Sequence, residues 1–173
     1  MKKIIVALLA LITQNGMSQT SELKTVNSVD LKKYTGKWYE IADIPQRFQK
    51  GCTCTTAEYS IREDGKIKVL NSCRKNSPTG KLKTATAKAW VVEGSNNSKL
   101  KVRFFWPFTG KYWIIKLADD YSYAVVGHPS RKYLWILNRD PKMDEALYNS
   151  IITSVKEMGY DTNLIVRTNQ LCN

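Results

Sequence analysis

Short runs of alternating apolar and polar residues, separated by turns, occupy most of the chain from Gly36 onward. The clearest pair surrounds the turn Asp64-Gly65, where a run ending at Ile61 is followed by the alternating run Lys66–Leu70. An Asp-Gly turn between such runs is typical of a β-hairpin. Eight runs, about 8–14 residues apart, lie between residues 36 and 137, and none has a helical period. The pattern predicts an antiparallel meander, a sandwich or a closed barrel.

The period changes after Pro141. One apolar stripe at helical spacing then follows, made of Leu147, Ile151, Val155 and Met158. Asp140 or Asp144 can cap its start and Gly159 can end it. We expect a helix of about 15 residues that packs on the outside of the sheet, with a helix on a membrane surface as the alternative. Residues 163–168 predict a last extended piece.

A run of eight antiparallel strands has a specific physical outcome. It can close into a barrel just wide enough for side chains or one small ligand. Closure also removes the strand edges that would otherwise favour aggregation. We therefore expect an all-β protein, an eight-stranded antiparallel up-and-down β-barrel with one C-terminal α-helix packed outside.

The first residues have the pattern of a secretory signal peptide. Lys2 and Lys3 precede the apolar run Ile4–Ile12, and the small residues Gly16 and Ser18 precede a cleavage point. The run is too short for a membrane-spanning helix, and a buried helix is the alternative. We expect a signal peptide over residues 1–18, an N-terminal arm over 19–30 and one domain over 31–173.

Composition and charge narrow the function classes. The 173 residues are 43% hydrophobic, which excludes wholesale disorder, and the net charge is +12. Such a surface attracts anions, including phospholipid head groups, although a solvated basic face explains it equally well. The basic residues are dispersed and no nucleic-acid motif is present, so we expect no nucleic-acid partner.

The four cysteines, Cys52, Cys54, Cys73 and Cys172, predict two disulfides in an exported chain. Four cysteines allow three pairings, and the sequence leaves them open. His128 is the single histidine and lies in a Gly-His-Pro turn, so we expect neither a metal site nor a catalytic residue.

Several stretches together resemble motifs of the lipocalin family, in the family's order and ahead of a helix. They are residues 36–42 with Gly36-Lys37-Trp38, Ala57–Ser60, Phe104–Phe108 with Gly110 and Tyr112, Asp120-Tyr121 with Tyr123, and Trp135–Arg139. The resemblance covers about residues 31–172 and is strongest to bacterial outer-membrane lipocalins and apolipoprotein D. Ala118-Asp119 departs from the second motif, where the family has Thr before the Asp-Tyr pair. The resemblance as a whole implies a lipocalin domain over residues 31–173.

The resemblance implies roles for three groups of residues. Gly36, Trp38 and Arg139 would form the closed barrel base, with the guanidinium over the indole. Cys54 would pair with Cys172, which leaves Cys52 with Cys73, and the swapped pairing remains a rival. Ligand-facing positions would be Tyr59, Asn71, Phe104, Phe108, Trp135 and Leu137, and Trp106 is added because it lies between Phe104 and Phe108 at the same parity. If Arg139 points inward, the alternation of a strand places Leu137, Trp135 and Tyr133 inward as well.

These features predict an exported lipocalin that binds and carries or stores a hydrophobic or amphiphilic molecule, a fatty acid or lysophospholipid, without catalysis or cofactor. We expect the exported protein to be periplasmic or secreted, with association with the outer membrane as one option. An anionic membrane surface would be a further partner. Two alternatives stay open: an enzyme that uses a free thiol, and a protein-interaction module whose barrel is filled by side chains.

Overall fold

A computed structural model describes residues 22–172. The predicted signal peptide therefore lies outside the described residues. The described residues form nine strands: β1 (Gly36–Asp43), β2 (Cys52–Ile61), β3 (Ile67–Lys75), β4 (Leu82–Val91), β5 (Lys99–Phe105), β6 (Phe108–Leu117), β7 (Tyr123–Gly127), β8 (Leu134–Asn138) and β9 (Val166–Arg167). The helices are α1 (Leu31–Tyr34) and α2 (Glu145–Glu157), with 3-10 turns at Arg47–Gln49 and Thr162–Leu164.

Strands β1–β8 close into one barrel. Each pairs antiparallel with the next along the chain, and β1 pairs with both β2 and β8. The short strand β9 adds to β1 outside this ring. The predicted all-β, eight-stranded up-and-down barrel is confirmed.

Local chemistry explains where the elements turn and end. Gly65 has φ +71° in the β2–β3 turn, and the Asp64 carboxylate accepts a hydrogen bond from the Lys66 backbone N–H. The Asp144 carboxylate caps α2 by accepting from the backbone N–H of Leu147. Gly159, with φ +86°, lies directly beyond the helix, in a conformation that glycine adopts without strain.

Helix α2 packs on the outer face of the barrel, as its apolar stripe predicts. Tyr148, Ile151 and Val155 are its buried residues. They belong to a cluster with outward side chains of the barrel such as Val125 and Ile136. The cluster also contains Leu23, so the described part of the N-terminal arm is packed against the barrel.

The chain after α2 differs from the prediction. Residues 163–168 do not form one extended piece, because a 3-10 turn occupies Thr162–Leu164 and only Val166–Arg167 pairs as a strand. Asp161 causes the turn, since its side chain accepts a hydrogen bond from the Asn163 backbone N–H.

Candidate ligand-binding site

The strand register defines which side chains face the interior. On β3 the alternate residues Ile67 and Val69 are buried in the interior cluster, and Asn71 follows at the same spacing. Their direct partners on β4 are Ala89, Ala87 and Ala85. Because directly paired residues share a face of the sheet, these alanines line the interior as well.

One end of the barrel is closed by Trp38. Its side chain is fully buried, and its indole Nε1–H donates to the Tyr34 carbonyl at 2.9 Å. The Arg139 guanidinium lies 3.7 Å from the centroid of the Trp38 ring. It also donates hydrogen bonds to the carbonyls of Lys33 and Lys37, which ties α1 and β1 to the end of β8. A cation over an indole face with satisfied donors gives a rigid seal.

Above Trp38, three tyrosines form the floor of the interior. The Tyr112 hydroxyl lies 2.7 Å from that of Tyr34 and 2.8 Å from that of Tyr59. Burial raises the pKa of Tyr59 to about 12 and that of Tyr112 well above its ordinary value. The three hydroxyls therefore stay protonated and satisfy one another, which lets polar groups occupy an apolar interior.

Beyond this floor the interior is open to water. The inward positions Ala85 and Gly110 are exposed, and the inward Phe108 is 67% exposed. Ala57, Val102 and Trp135 pack partly buried against the interior cluster. From these exposed inward positions, together with the small side chains Ala57, Ala85 and Gly110, we infer a hollow between the tyrosine floor and the open end.

Sequence reasoning named eight ligand-facing residues, and the structure places them at different depths. Tyr59 and Leu137 are buried in the interior cluster, and Trp135 packs against it. Tyr133 stacks on Trp135 with ring centroids 6.4 Å apart and remains 38% exposed. The Oδ1 atom of Asn71 is buried and has no hydrogen-bond partner in the described part of the chain.

The remaining three lie at the β5–β6 hairpin tip, and they are Phe104 (43% exposed), Trp106 (81%) and Phe108. A register shift between Val102 and Phe105 breaks the alternation on β5. Phe105, not Phe104, therefore pairs with Phe108, and their rings meet edge to face at 5.5 Å. Spacing alone cannot show which way Phe104 points.

Two buried carboxyls line the hollow and were missed by sequence reasoning. Glu40 pairs with Leu137, and Asp43 pairs with Trp135, so both share the inward face. Burial raises the pKa of the Glu40 carboxyl. Burial, with Glu40 as a neighbouring charge, raises the pKa of Asp43 to about 7. The spacing of Glu40 from Trp38 could have revealed the first, whereas Asp43 depends on a bulge after Glu40.

The C-terminal segment fills a gap in the wall. Pairing between β1 and β2 ends at Tyr39–Thr56, and beyond it the Gln170 side-chain amide donates to the carbonyls of Glu40 and Thr55. Disulfides join Cys54 to Cys172 and Cys52 to Cys73, the pairing implied by the resemblance. All four cysteines are thus paired.

Other features of residues 22–172 lie apart from the barrel interior. Among residues 22–172, no group of three His, Cys, Asp or Glu side chains is placed to hold a metal ion. His128 lies in the β7–β8 turn, where burial lowers its pKa and its Nδ1 lies 2.8 Å from the Ser130 hydroxyl. Two shallow depressions lie outside the barrel at its closed end, one bordered by Arg139 and residues 119–122 and the other by Gly36 and residues 59–61.

Comparison with known proteins agrees with this geometry. Residues 29–170 match the family model of the lipocalin-like domain. The outer membrane lipoprotein Blc of Vibrio cholerae is 37% identical over 98% of this chain and 99% of its own. Temperature-induced lipocalin-1 of Arabidopsis thaliana is 38% identical over 89% and 86%, and apolipoprotein D of Rattus norvegicus is 43% identical over 65% and 61%. The solved structure of insecticyanin from Manduca sexta superposes with a TM-score of 0.68 over 86% of this chain and 84% of its own at 21% identity.

Proposed function

The chain belongs to the lipocalin family, whose members bind small hydrophobic ligands, and we propose that it is an exported carrier or store for a fatty acid or lysophospholipid. The observation that carries this proposal is the open upper half of the barrel. Inward positions such as Ala85 and Gly110 remain exposed above a sealed floor. An apolar, concave and accessible interior with a few polar groups suits an amphiphile.

The proposed ligand contacts are graded by depth. Tyr59 and Leu137 would meet the end of the chain near the floor, and Trp135 would pack along its length. Each buried methylene contributes about 0.8 kcal/mol before ordering costs are subtracted. Asn71, Tyr133 and the aromatic residues of the β5–β6 hairpin tip would lie nearer the head group.

The open end also supports a membrane partner. Phe105, Trp106 and Phe108 are 67%, 81% and 67% exposed at the hairpin tip, and the basic residues Arg103 and Lys111 lie on the same hairpin. Exposed aromatics beside cations fit the interface of an anionic bilayer. The similarity to relatives named outer membrane lipoproteins supports the proposal that this protein is exported, either to the periplasm or out of the cell. Within the described residues, none of the helices has the length and apolarity to cross a bilayer.

Mass spectrometry of lipids extracted from protein purified from its native host tests the carrier role. The proposal predicts a co-purified amphiphile at near-stoichiometric amounts, and titration of the emptied protein with lysophospholipid should quench tryptophan fluorescence. Trp135→Ala should weaken binding about tenfold, whereas Trp90→Ala on the outer face should leave it unchanged. Absence of any bound amphiphile, with no quenching, would overturn the carrier proposal and favour a barrel that is only core.

Vesicle sedimentation tests the membrane partner. The protein should sediment with vesicles rich in phosphatidylglycerol and not with vesicles of phosphatidylcholine alone, because the attraction is electrostatic. Trp106→Ser should reduce sedimentation, whereas Trp90→Phe should not. Equal sedimentation with both kinds of vesicle, or none with either, would contradict the membrane proposal.

A further inference from the structure

A cluster of hydrogen-bond acceptors lines one side of the hollow. Glu40 and Asp43 lie on β1 at 5% and 8% exposure, and each is directly paired with an inward residue of β8. Thr55 on β2 lies beside Glu40, and Asn71 occupies an inward position of β3; we call these four residues the acceptor cluster. None of these four residues belongs to the barrel base or to the tyrosine floor.

The two carboxyls differ in how their oxygens are occupied. Glu40 accepts from the Thr168 hydroxyl and from the Gln49 side-chain amide, both at 2.8 Å. Gln49 in turn accepts from the Trp135 indole N–H at 3.1 Å, so Glu40 is held within a network. The Asp43 carboxyl accepts none of the hydrogen bonds found among residues 22–172. Of the two carboxyls, Asp43 therefore keeps its acceptor positions free.

Two further polar side chains belong to this lining. Thr55 is only 7% exposed, and its hydroxyl lies beside the Glu40 carboxyl. The Asn71 Oδ1 atom is buried and has no hydrogen-bond partner within residues 22–172. Buried polar atoms are normally satisfied, so this atom beside an open hollow indicates a place that a ligand's polar group can fill.

The cluster has no cationic partner. No ion pair within residues 22–172 involves Glu40 or Asp43. Two cations at inward positions lie at the rim: Lys83 is paired with Cys73, and the Lys75 ammonium donates to the Lys50 carbonyl. A head group that enters as far as Asp43 therefore meets negative charge and open lone pairs.

We propose that the acceptor cluster selects amphiphiles by head group, binding one that donates a hydrogen bond from a hydroxyl in preference to one that carries a negative charge. The hydroxyl donates to Asp43, while an anionic head group in the same place faces a like charge at short range. This inference rests on the proposed function and deepens it. Among the proposed ligands, it favours lysophospholipids over free fatty acids, because a lysophospholipid can place its glycerol hydroxyl at Asp43 and keep its anionic phosphate farther out, whereas a fatty acid has only its carboxylate.

Two ligands with the same alkyl chain test the inference. Dodecanol donates a hydrogen bond, whereas dodecyl sulfonate is anionic at every pH of interest. Their affinities are measured by displacement of the uncharged probe N-phenyl-1-naphthylamine at about pH 8, where Asp43 is ionised. Asp43→Asn keeps the shape and an acceptor oxygen but removes the charge. It should strengthen sulfonate binding about tenfold and change dodecanol binding less than about threefold.

Asp119→Asn, the same substitution at an exposed site of the closed end, is the matched control and should leave both affinities unchanged. Asp43→Ser also removes the charge and repeats the comparison in an independent variant. If both ligands bind and the Asp43 variants leave their affinity ratio as in the wild type, the inference is overturned while the proposed function stands. If neither ligand displaces the probe, the proposed function fails and the inference fails with it.

Discussion

Asp43 gives the stability of the protein a characteristic dependence on pH. Its carboxyl has a pKa of about 7 in the folded chain, against an ordinary value of 3.8, because burial and the Glu40 charge disfavour ionisation. Between these two values the folded state keeps a proton that the unfolded chain has released. The folded state therefore loses stability as pH rises through this window.

The magnitude follows from the difference in pKa. Each unit of difference corresponds to about 1.36 kcal/mol, so the full effect is about 4 kcal/mol above roughly pH 8. Below roughly pH 4 both states are protonated and the effect disappears. Asp43→Asn removes the titrating group, and it breaks no hydrogen bond within residues 22–172. At pH 8 the variant should therefore be more stable than the wild type by about 2–4 kcal/mol.

Urea unfolding of emptied protein with intact disulfides, followed by tryptophan fluorescence at a series of pH values, measures this difference. The gap between variant and wild type should open as pH rises from about 4 to about 8. Asp119→Asn should stay within about 0.5 kcal/mol of the wild type throughout, since this side chain is exposed. An Asp43→Asn protein that is equally or less stable than the wild type at pH 8 would refute the reasoning.

Three further predictions concern the frame of the site. Arg139→Met removes the guanidinium from the Trp38 ring and from its carbonyl partners. In urea titrations it should lower the free energy of unfolding by about 2–4 kcal/mol, and equal stability would contradict the described seal. Tyr112→Phe deprives two buried hydroxyls of their shared partner and should cost about 1–3 kcal/mol in the same assay, and no loss would argue against the tyrosine floor. Replacing Cys54 and Cys172 by Ser opens a loop of 118 residues. It should cost about 3–5 kcal/mol and speed hydrogen exchange after residue 165, and unchanged exchange would show that the C-terminal segment is held without the disulfide.

Alternation along the strands predicted much of the interior. A strand places every second residue on one face, so Leu137 and Trp135 could be assigned to the same side as Arg139 before any coordinates. The structure puts Leu137 in the interior cluster and Trp135 against it. The apolar stripe of α2 likewise predicted its packing, because the helical period determines which side chains share a face.

Bulges and tertiary closure could not be predicted in the same way. The extra residue after Glu40 turns Asp43 to the inside, and the shift on β5 pairs Phe105 with Phe108. One inserted residue inverts the alternation beyond it, and no local signal marked either place. Gln170 fills the gap between β1 and β2 from more than a hundred residues away, a contact that depends on the whole barrel.

The indole N–H signals of the five tryptophans test the central claim, that the ligand lies inside the barrel. Trp135 faces the hollow. Trp90 and Trp113 lie elsewhere on the surface, where the Arg103 guanidinium covers the Trp90 ring and the Lys99 ammonium covers the Trp113 ring. In ¹H–¹⁵N spectra assigned with single Trp→Phe variants, lysophospholipid should shift the Trp135 signal and leave those of Trp90 and Trp113 in place. Shifts confined to Trp90 or Trp113, with Trp135 unmoved at saturating ligand, would contradict the account.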